Sequence, residues 1–290
     1  MSALRSPRAQ SRGQTVFITG ATGGIGRALV QRFLRDGWTV FAGCLEGAPA
    51  DPGVIHVPLD VTSDASVQAA RAQVGVPDLL INNAGIGLLG PMAELPDEVL
   101  TRQFDVNVRG LARVTRAFAP DMCRRRQGRI INISSLVGVF TLPWFGAYAA
   151  TKHAVEAMSD ALRMELAPFG VRVSIVEPSI VGTAFVDNAV VSLQRAARSS
   201  LWTDALEETV ARRGFMSPVQ IHPAQVAAVV LRAAHARSPS ARYRVGALAS
   251  LLLRLGGRLP VSVLDVLLRS LTGLSAKRPV HPRLTQETQP

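Results

Sequence analysis

Thr15-Val16-Phe17-Ile18-Thr19 runs without a break into Gly20-Ala21-Thr22-Gly23-Gly24-Ile25-Gly26. The first five residues are mostly β-branched or aromatic and read as a buried strand; the residues after Gly23 read as a helix, from about 24 to 36. Gly20 can take a turn conformation closed to other residues, Gly24 lets backbone approach a pyrophosphate, and Gly26 permits close packing of helix on strand. The helix start then offers free N–H groups and a partial positive charge to phosphates. Strand, glycine turn and helix in this order predict a dinucleotide site lined by Gly20, Thr22, Gly23, Gly24, Ile25 and Gly26.

Outward from this turn, short β-rich runs alternate with longer helical ones. Strands are expected at 38–42, 54–59, 78–82, 129–134, 171–177 and 242–246, and helices at 64–74, 97–126, through Tyr148 to just before Gly170, and at 223–237. Such alternation specifies a parallel sheet with right-handed crossovers, hence a doubly wound α/β fold of about seven strands flanked by helices. Residues 184–217 interrupt the rhythm and are expected to form a helical flap on a single domain spanning 14–246. Residues 247–276 form a C-terminal helical extension in this reading, and 1–13 and 277–290 are disordered tails.

At 290 residues with 48% apolar and 18% charged side chains, the chain can bury a sizeable core. The net charge of +11 comes almost wholly from scattered Arg, without an aromatic-studded basic motif, which excludes nucleic acid as the expected partner. Arg124 to Arg126 precede Gly128, where cations suit a helix C-terminus. Cys44 and Cys123 stand far apart, no paired Cys or His spacing suggests a metal, and no membrane span is apparent. A reduced, cytoplasmic protein without a secretory signal is expected.

Chemistry enters at Tyr148-Ala-Ala-Thr-Lys152, which holds one of the chain's two tyrosines and one of its two lysines. Four residues apart on a helix, the two share a face, so the Lys152 ammonium is expected to lower the Tyr148 pKa toward a range where the phenol exchanges protons. Asp60, after one strand, would accept a hydrogen bond from an adenine amino group. Asn82-Asn83-Ala84-Gly85, after the next, offers small residues that let backbone lie along a cofactor.

Taken together, TGATGGIG, LDV at 59–61, NNAG at 82–85, Asn107, and Ser135 placed 13 residues before Tyr148 resemble the short-chain dehydrogenase/reductase family over residues 14–246. The resemblance implies a Rossmann-type fold and hydride transfer with Asn107, Ser135, Tyr148 and Lys152 as catalytic residues. Tyr148 would exchange a proton with the substrate oxygen, and Lys152 would tune Tyr148 and hold the nicotinamide ribose. Ser135, with its neighbour Ser134 as the alternative, would orient the oxygen, and Asn107 would anchor a water. Asp60, Val61, Asn83, Ala84, Gly85, Tyr148, Lys152, Pro178, Val181 and Thr183 would complete the NAD or NADP site. The family's Pro-Gly is here Pro178-Ser179, where a Cβ would move the backbone and bear on the contacts of Val181 and Thr183; the Val181 backbone is still expected to meet the carboxamide.

Glu46, and the lack of a cation at Gly23 or in Gly43-Cys44-Leu45, lean toward NAD. FAGCL at 41–45, VEP followed by Thr183, and RYRVG are similar to the retinol and 17β-hydroxysteroid dehydrogenase branch. Val137, Val139, Phe140, Leu142, Trp144 and Phe145, with Phe185, Leu193, Leu201 and Trp202 from the flap, would form an apolar mouth for a lipophilic alcohol or ketone held by Ser135, Tyr148 and Phe145. The Leu-rich stretch after 246 with its Arg residues fits a helix packed on the domain, a lid, or peripheral contact with a membrane. The resemblance also implies a homo-oligomer through helices 97–126 and 146–168. The rival classes are a non-catalytic dinucleotide sensor or scaffold, and a membrane-associated interaction protein.

Overall fold

The computed structural model describes residues 13–47, 51–212, 220–246 and 260–274. Seven strands form one parallel sheet: β1 (Thr15–Thr19), β2 (Thr39–Cys44), β3 (Val54–Pro58), β4 (Leu79–Asn82), β5 (Gly128–Ile133), β6 (Val171–Pro178) and β7 (Arg242–Val245). Their order across the sheet is β3-β2-β1-β4-β5-β6-β7, so the chain winds one way from β1, then returns to β4 and winds the other way. Helices leaving β1 and β4 diverge to opposite faces, which opens a crevice at the carboxyl ends of those two strands.

One face is covered by α1 (Gly24–Arg35) and α8 (Pro223–His235). Leu29, Val30 and Phe33 recur at helical spacing on α1 and pack, fully buried, with Val226 and Val230 of α8 against Val16, Ile18 and Val40 of the sheet. The other face carries α2 (Asp64–Val74), α4 (Leu111–Arg125) and α5 (Gly146–Leu166). There Phe17, Leu80, Phe118 and Ile130 form a second core. A third cluster is separate from both: α6 (Ala184–Ala197) and α7 (Thr203–Ala211) fold over the sheet edge and bury Ala189, Leu193 and Leu206 against Val137, Trp144 and Tyr148.

The expected single helix over 97–126 is three pieces. α3 (Asp97–Phe104) passes through a π-helical segment, Asp105–Gly110, before α4 begins. The widened turn suits Asn107, whose side chain is committed elsewhere, and Gly110, where a Cβ would lie 2.8 Å from Val61 Cγ2. The Arg124–Arg126 run closes α4 as expected, with Arg126 left-handed at φ 53°. Most strand and helix ends fall within two residues of the sequence reading.

Of the flap, α6 and α7 are helical as expected, and 213–219 lie outside the described residues, as do the tails 1–12 and 277–290. Of the C-terminal extension, 247–259 also lie outside, whereas α9 (Val261–Leu271) packs on the flap. Trp144 Nε1 donates to the carbonyl of Thr272, 3.2 Å away, and to Thr209 Oγ1 on α7 at 3.1 Å. Val261, Val263, Val266 and Leu267 remain exposed on the outer side of α9. Among the described residues no helix is long and apolar enough to cross a membrane.

Candidate active site

The glycine turn is held by its neighbours. Gly20 sits at φ +65°, where a Cβ would be 2.8 Å from Ala84 Cα. At Gly26 a Cβ would lie 2.2 Å from the Gly20 carbonyl oxygen, so the start of α1 presses directly on the turn that follows β1. Asn83 Nδ2 donates to the carbonyls of Thr19 and Gly20, both at 3.0 Å, and Thr19 Oγ1 accepts from the amides of Asn83 and Ala84. Asn83 and Thr19 thus tie the two crevice turns together, and the Asn83 side chain is occupied in doing so. The helix N-cap, Gly23, carries no side-chain cap, and the first turn holds no acidic residue. Uncapped amides and the positive end of α1 therefore face the crevice, which fits a pyrophosphate.

Other residues of the expected cofactor set lie along the same edge. Asp60 Oδ1 accepts from the amide and hydroxyl of Thr62, at 2.8 and 2.7 Å, so one carboxylate oxygen closes a local turn. Val61 is buried beside Gly110, and its carbonyl accepts from Arg113 Nη1. Thr183, N-cap of α6, leans on Gly24: a Cβ there would meet Thr183 Cγ2 at 2.3 Å. Val181 is buried and forms a parallel bridge with Ile221. The Cβ at Ser179 is absorbed by a second glycine. Ser179 N donates to the Val245 carbonyl at 2.9 Å, and its side chain turns toward Gly246, which sits at φ +106°. The β6 ladder to β7 runs through Pro178↔Val245 undisturbed.

The expected catalytic residues converge on one spot from three elements. α5 presents Tyr148 and Lys152, both more than nine-tenths buried. Lys152 Nζ donates to the Ile133 carbonyl at 2.9 Å and lies 5.8 Å from the Tyr148 ring centroid. From the π segment, Asn107 Oδ1 accepts from the Ile86 amide at 2.8 Å, while Nδ2 donates to the Ile86 carbonyl and to Thr151 Oγ1. Thr151 in turn donates to the Tyr148 carbonyl at 2.7 Å. Gly85 brings the NNAG backbone against this group: a Cβ there would be 3.2 Å from Asn107 Oδ1 and 3.8 Å from Lys152 Nζ.

The two adjacent serines point different ways. Ser135 is half-buried at the start of a short turn and faces the phenol, whereas Ser134 is buried and faces Gly138 and α5. Thr151 is absent from the sequence reading, since nothing local marks it, whereas Phe185 is among the flap residues expected at the mouth. The Phe185 ring stands 5.3 Å from that of Tyr148 and covers Gly87. Phe145 and Leu142 pack against the same cluster, whereas Val139 and Leu201 are exposed, so the expected mouth is narrower than the list of apolar residues.

One electrostatic expectation is corrected. Burial, rather than Lys152, dominates the Tyr148 phenol and pushes its pKa up, with the Ser135 side chain pulling it the other way. Lys152 is itself lowered by burial to about 8, partly offset by the charge of Glu156. Both groups lose more by leaving water than their mutual proximity returns.

Residues 14–192 match the sequence pattern of the short chain dehydrogenases. A 3-ketodihydrosphingosine reductase of Bacteroides thetaiotaomicron is 33% identical over 82% of this chain and 90% of its own length. The human 17-beta-hydroxysteroid dehydrogenase type 1 is 37% identical over 79% of this chain and 76% of its own. A Burkholderia cenocepacia short chain dehydrogenase solved with NADP superposes with a TM-score of 0.72 at 27% identity, covering 88% and 97% of the two chains. With its parallel seven-stranded sheet, glycine turn and Tyr148–Lys152 pair, the chain belongs to the short-chain dehydrogenase/reductase family of oxidoreductases.

Proposed function

We propose that the protein interconverts a lipophilic secondary alcohol, or a retinoid-like one, and the matching carbonyl compound, using NAD or NADP. The observation that carries this reading is the meeting of Ser135, Tyr148, Lys152 and Asn107 at the foot of an apolar cluster, on the sheet edge that also bears the glycine turn. The bound nicotinamide supplies or accepts the hydride. Tyr148 gives a proton to the substrate oxygen in reduction and takes one in oxidation, and Ser135 holds that oxygen in line. Lys152 places a cation beside the phenol as it ionises, and Asn107 fixes the π segment and the NNAG turn around it. Val181 backbone and Thr183 serve the nicotinamide end, and the amides of Gly24 to Gly26 serve the pyrophosphate. Leu142, Phe145, Phe185 and Trp202 exclude water from the reacting atoms.

Two relatives named for a sphingoid ketone and a steroid support the lipophilic class. Glu46 and the exposed Leu45, with no Arg or Lys in residues 43–47 of the sequence, favour NAD. A panel of hydrophobic alcohols and ketones followed by nicotinamide absorbance tests the reading. Tyr148→Phe is expected to lose about 10²- to 10⁴-fold in turnover while still binding cofactor. Retained turnover in that variant, or saturation only with small hydrophilic sugars, contradicts it. A large preference for NADP in initial rates overturns the lean to NAD.

A homo-oligomer through α4 and α5 is part of the same proposal, supported by the apolar groove between them lined by Ala119, Cys123, Met158, Ala161 and Leu162. Ala161→Arg is expected to give a monomer in sedimentation. The exposed valines of α9, beside Arg269, support peripheral contact with an anionic membrane. Full-length and 1–246 proteins that fail equally to float with anionic vesicles would end that idea.

A further inference from the structure

Further along the face of α5 that carries Tyr148 and Lys152 lies a partly buried ionic cluster that hydride transfer does not require. Glu156 lies one helical turn beyond Lys152 and is 7% exposed. Its Oε2 meets Arg242 Nε at 3.1 Å, and Arg242 also contacts the fully buried Glu177 at 3.3 Å and Asp160 at 2.6 Å. Arg244 closes the cluster on Glu177 at 3.2 Å. The other carboxylate oxygen of Glu156 and the Ser134 hydroxyl are both buried without a well-formed hydrogen bond. Burial raises the Glu156 pKa, and the Ser134 hydroxyl and Arg242 pull it back toward the carboxylate. An apolar residue would fill this space at lower desolvation cost, so the charges call for an explanation other than stability.

We propose that Glu156 is a positioning residue: its buried carboxylate, braced by Arg242 from β7, is the counter-charge that keeps Lys152 an ammonium ion facing Tyr148. The inference rests on the reading of Tyr148 and Lys152 as the reacting pair. The direct partner of Lys152 is a neutral carbonyl, which orients the ammonium but brings no net charge. The anion acting on it through space is Glu156. Beside Tyr148, the charged groups joined to Glu156 on this side of α5 are Asp160 on the same helix, Glu177 from β6, and Arg242 and Arg244 from β7, and the imidazole next to Lys152, His153, is turned to the Ala149 carbonyl. Asp105 on the π segment is held by Arg109 and Arg113. Of the carboxylates, Glu156 is nearest along α5 and shares its water-excluded side. Glu156 and Arg242 are 86 residues apart in sequence, so the last strand of the sheet braces a residue of α5 behind the reacting pair.

Because the chain has two lysines, Lys152 and Lys277, a carbon-13 titration of the lysine ε-carbons follows Lys152 directly once Lys152→Met has identified its signal. In the full-length, cofactor-free protein, Glu156→Gln is expected to lower the Lys152 midpoint by about one pH unit, and Glu156→Asp to restore most of it. The pH profile of kcat/KM is expected to move the same way in Glu156→Gln and to recover in Glu156→Asp, a pattern that loss of packing alone does not produce. If the Gln variant does not fold, Glu156→Leu removes the charge with an apolar side chain and is read identically. A midpoint unchanged in a folded neutral variant overturns the proposal, whatever the activity. Turnover surviving in Tyr148→Phe overturns the catalytic reading instead, and leaves the titration result to stand or fall by itself.

Discussion

Gly26 has room for a hydrogen and nothing larger. A methyl there meets the Gly20 carbonyl oxygen at 2.2 Å and Ala21 Cα at 2.8 Å, both backbone, so the turn itself must move. Gly26→Ala is expected to cost about 1–3 kcal/mol in chemical denaturation and at least tenfold in cofactor affinity by titration calorimetry. That requirement was legible in the sequence, because a glycine between strand and helix has few other uses. The division between Ser134 and Ser135 was not: adjacent residues of one type point apart through backbone direction, which no local pattern records. Ser135→Ala is expected to lower kcat/KM about 100-fold and Ser134→Ala less than about fivefold. Equal losses would mean that both serines, or neither, serve the substrate oxygen.

At the scale of elements, the loop before α5 ties the flap to the sheet through one side chain. Trp144 takes φ 72°, a left-handed conformation that strains an aromatic residue, and its ring N–H reaches both Thr209 of α7 and the carbonyl after α9. Trp144→Phe keeps a ring but loses both hydrogen bonds. We expect about 1 kcal/mol less stability, faster proteolysis within 184–212, and a several-fold rise in KM for bulky substrates with kcat nearly unchanged. A kcat loss equal to the KM change would place Trp144 in the chemistry instead. The helical pattern of 97–126 is continuous in sequence, and its break at Asp105–Gly110 follows from contacts of Asn107 with Ile86 and Thr151, partners 21 and 44 residues away.

For the whole molecule, burying Lys152 has a pH signature. Its pKa is about 8 in the folded protein against the ordinary 10.5 of a solvated lysine, so between those values the unfolded chain binds more protons and stability rises with pH. Below pH 8 the full cost of burying the cation applies. Tyr148, shifted upward, acts oppositely, and only above about pH 10, where the unfolded phenol ionises first. Burial also raises the thiols of Cys44 and Cys123, which lower stability as pH rises through the same range, so the Lys152 contribution is read against Lys152→Met. The unfolding free energy of the wild type relative to that variant is expected to rise by about 1–2 kcal/mol from pH 8 to 10. A flat difference between the two would mean that Lys152 keeps an ordinary pKa in the folded protein.

The sequence by itself determined the order of strands and helices, the glycine turn and the Tyr148–Lys152 spacing. Each rests on short-range physics: side-chain period, backbone freedom and one helical turn. Only the tertiary structure decided how buried that pair is, and burial reversed the expected direction of the Tyr148 shift, because desolvation depends on everything packed around a group. It also decided that Phe185 of the flap covers the phenol, that Ser179 fits against Gly246, and that Arg242 from the last strand braces Glu156 behind Lys152. These contacts join residues tens of positions apart, and nothing along the chain encodes their distance until the sheet brings them together.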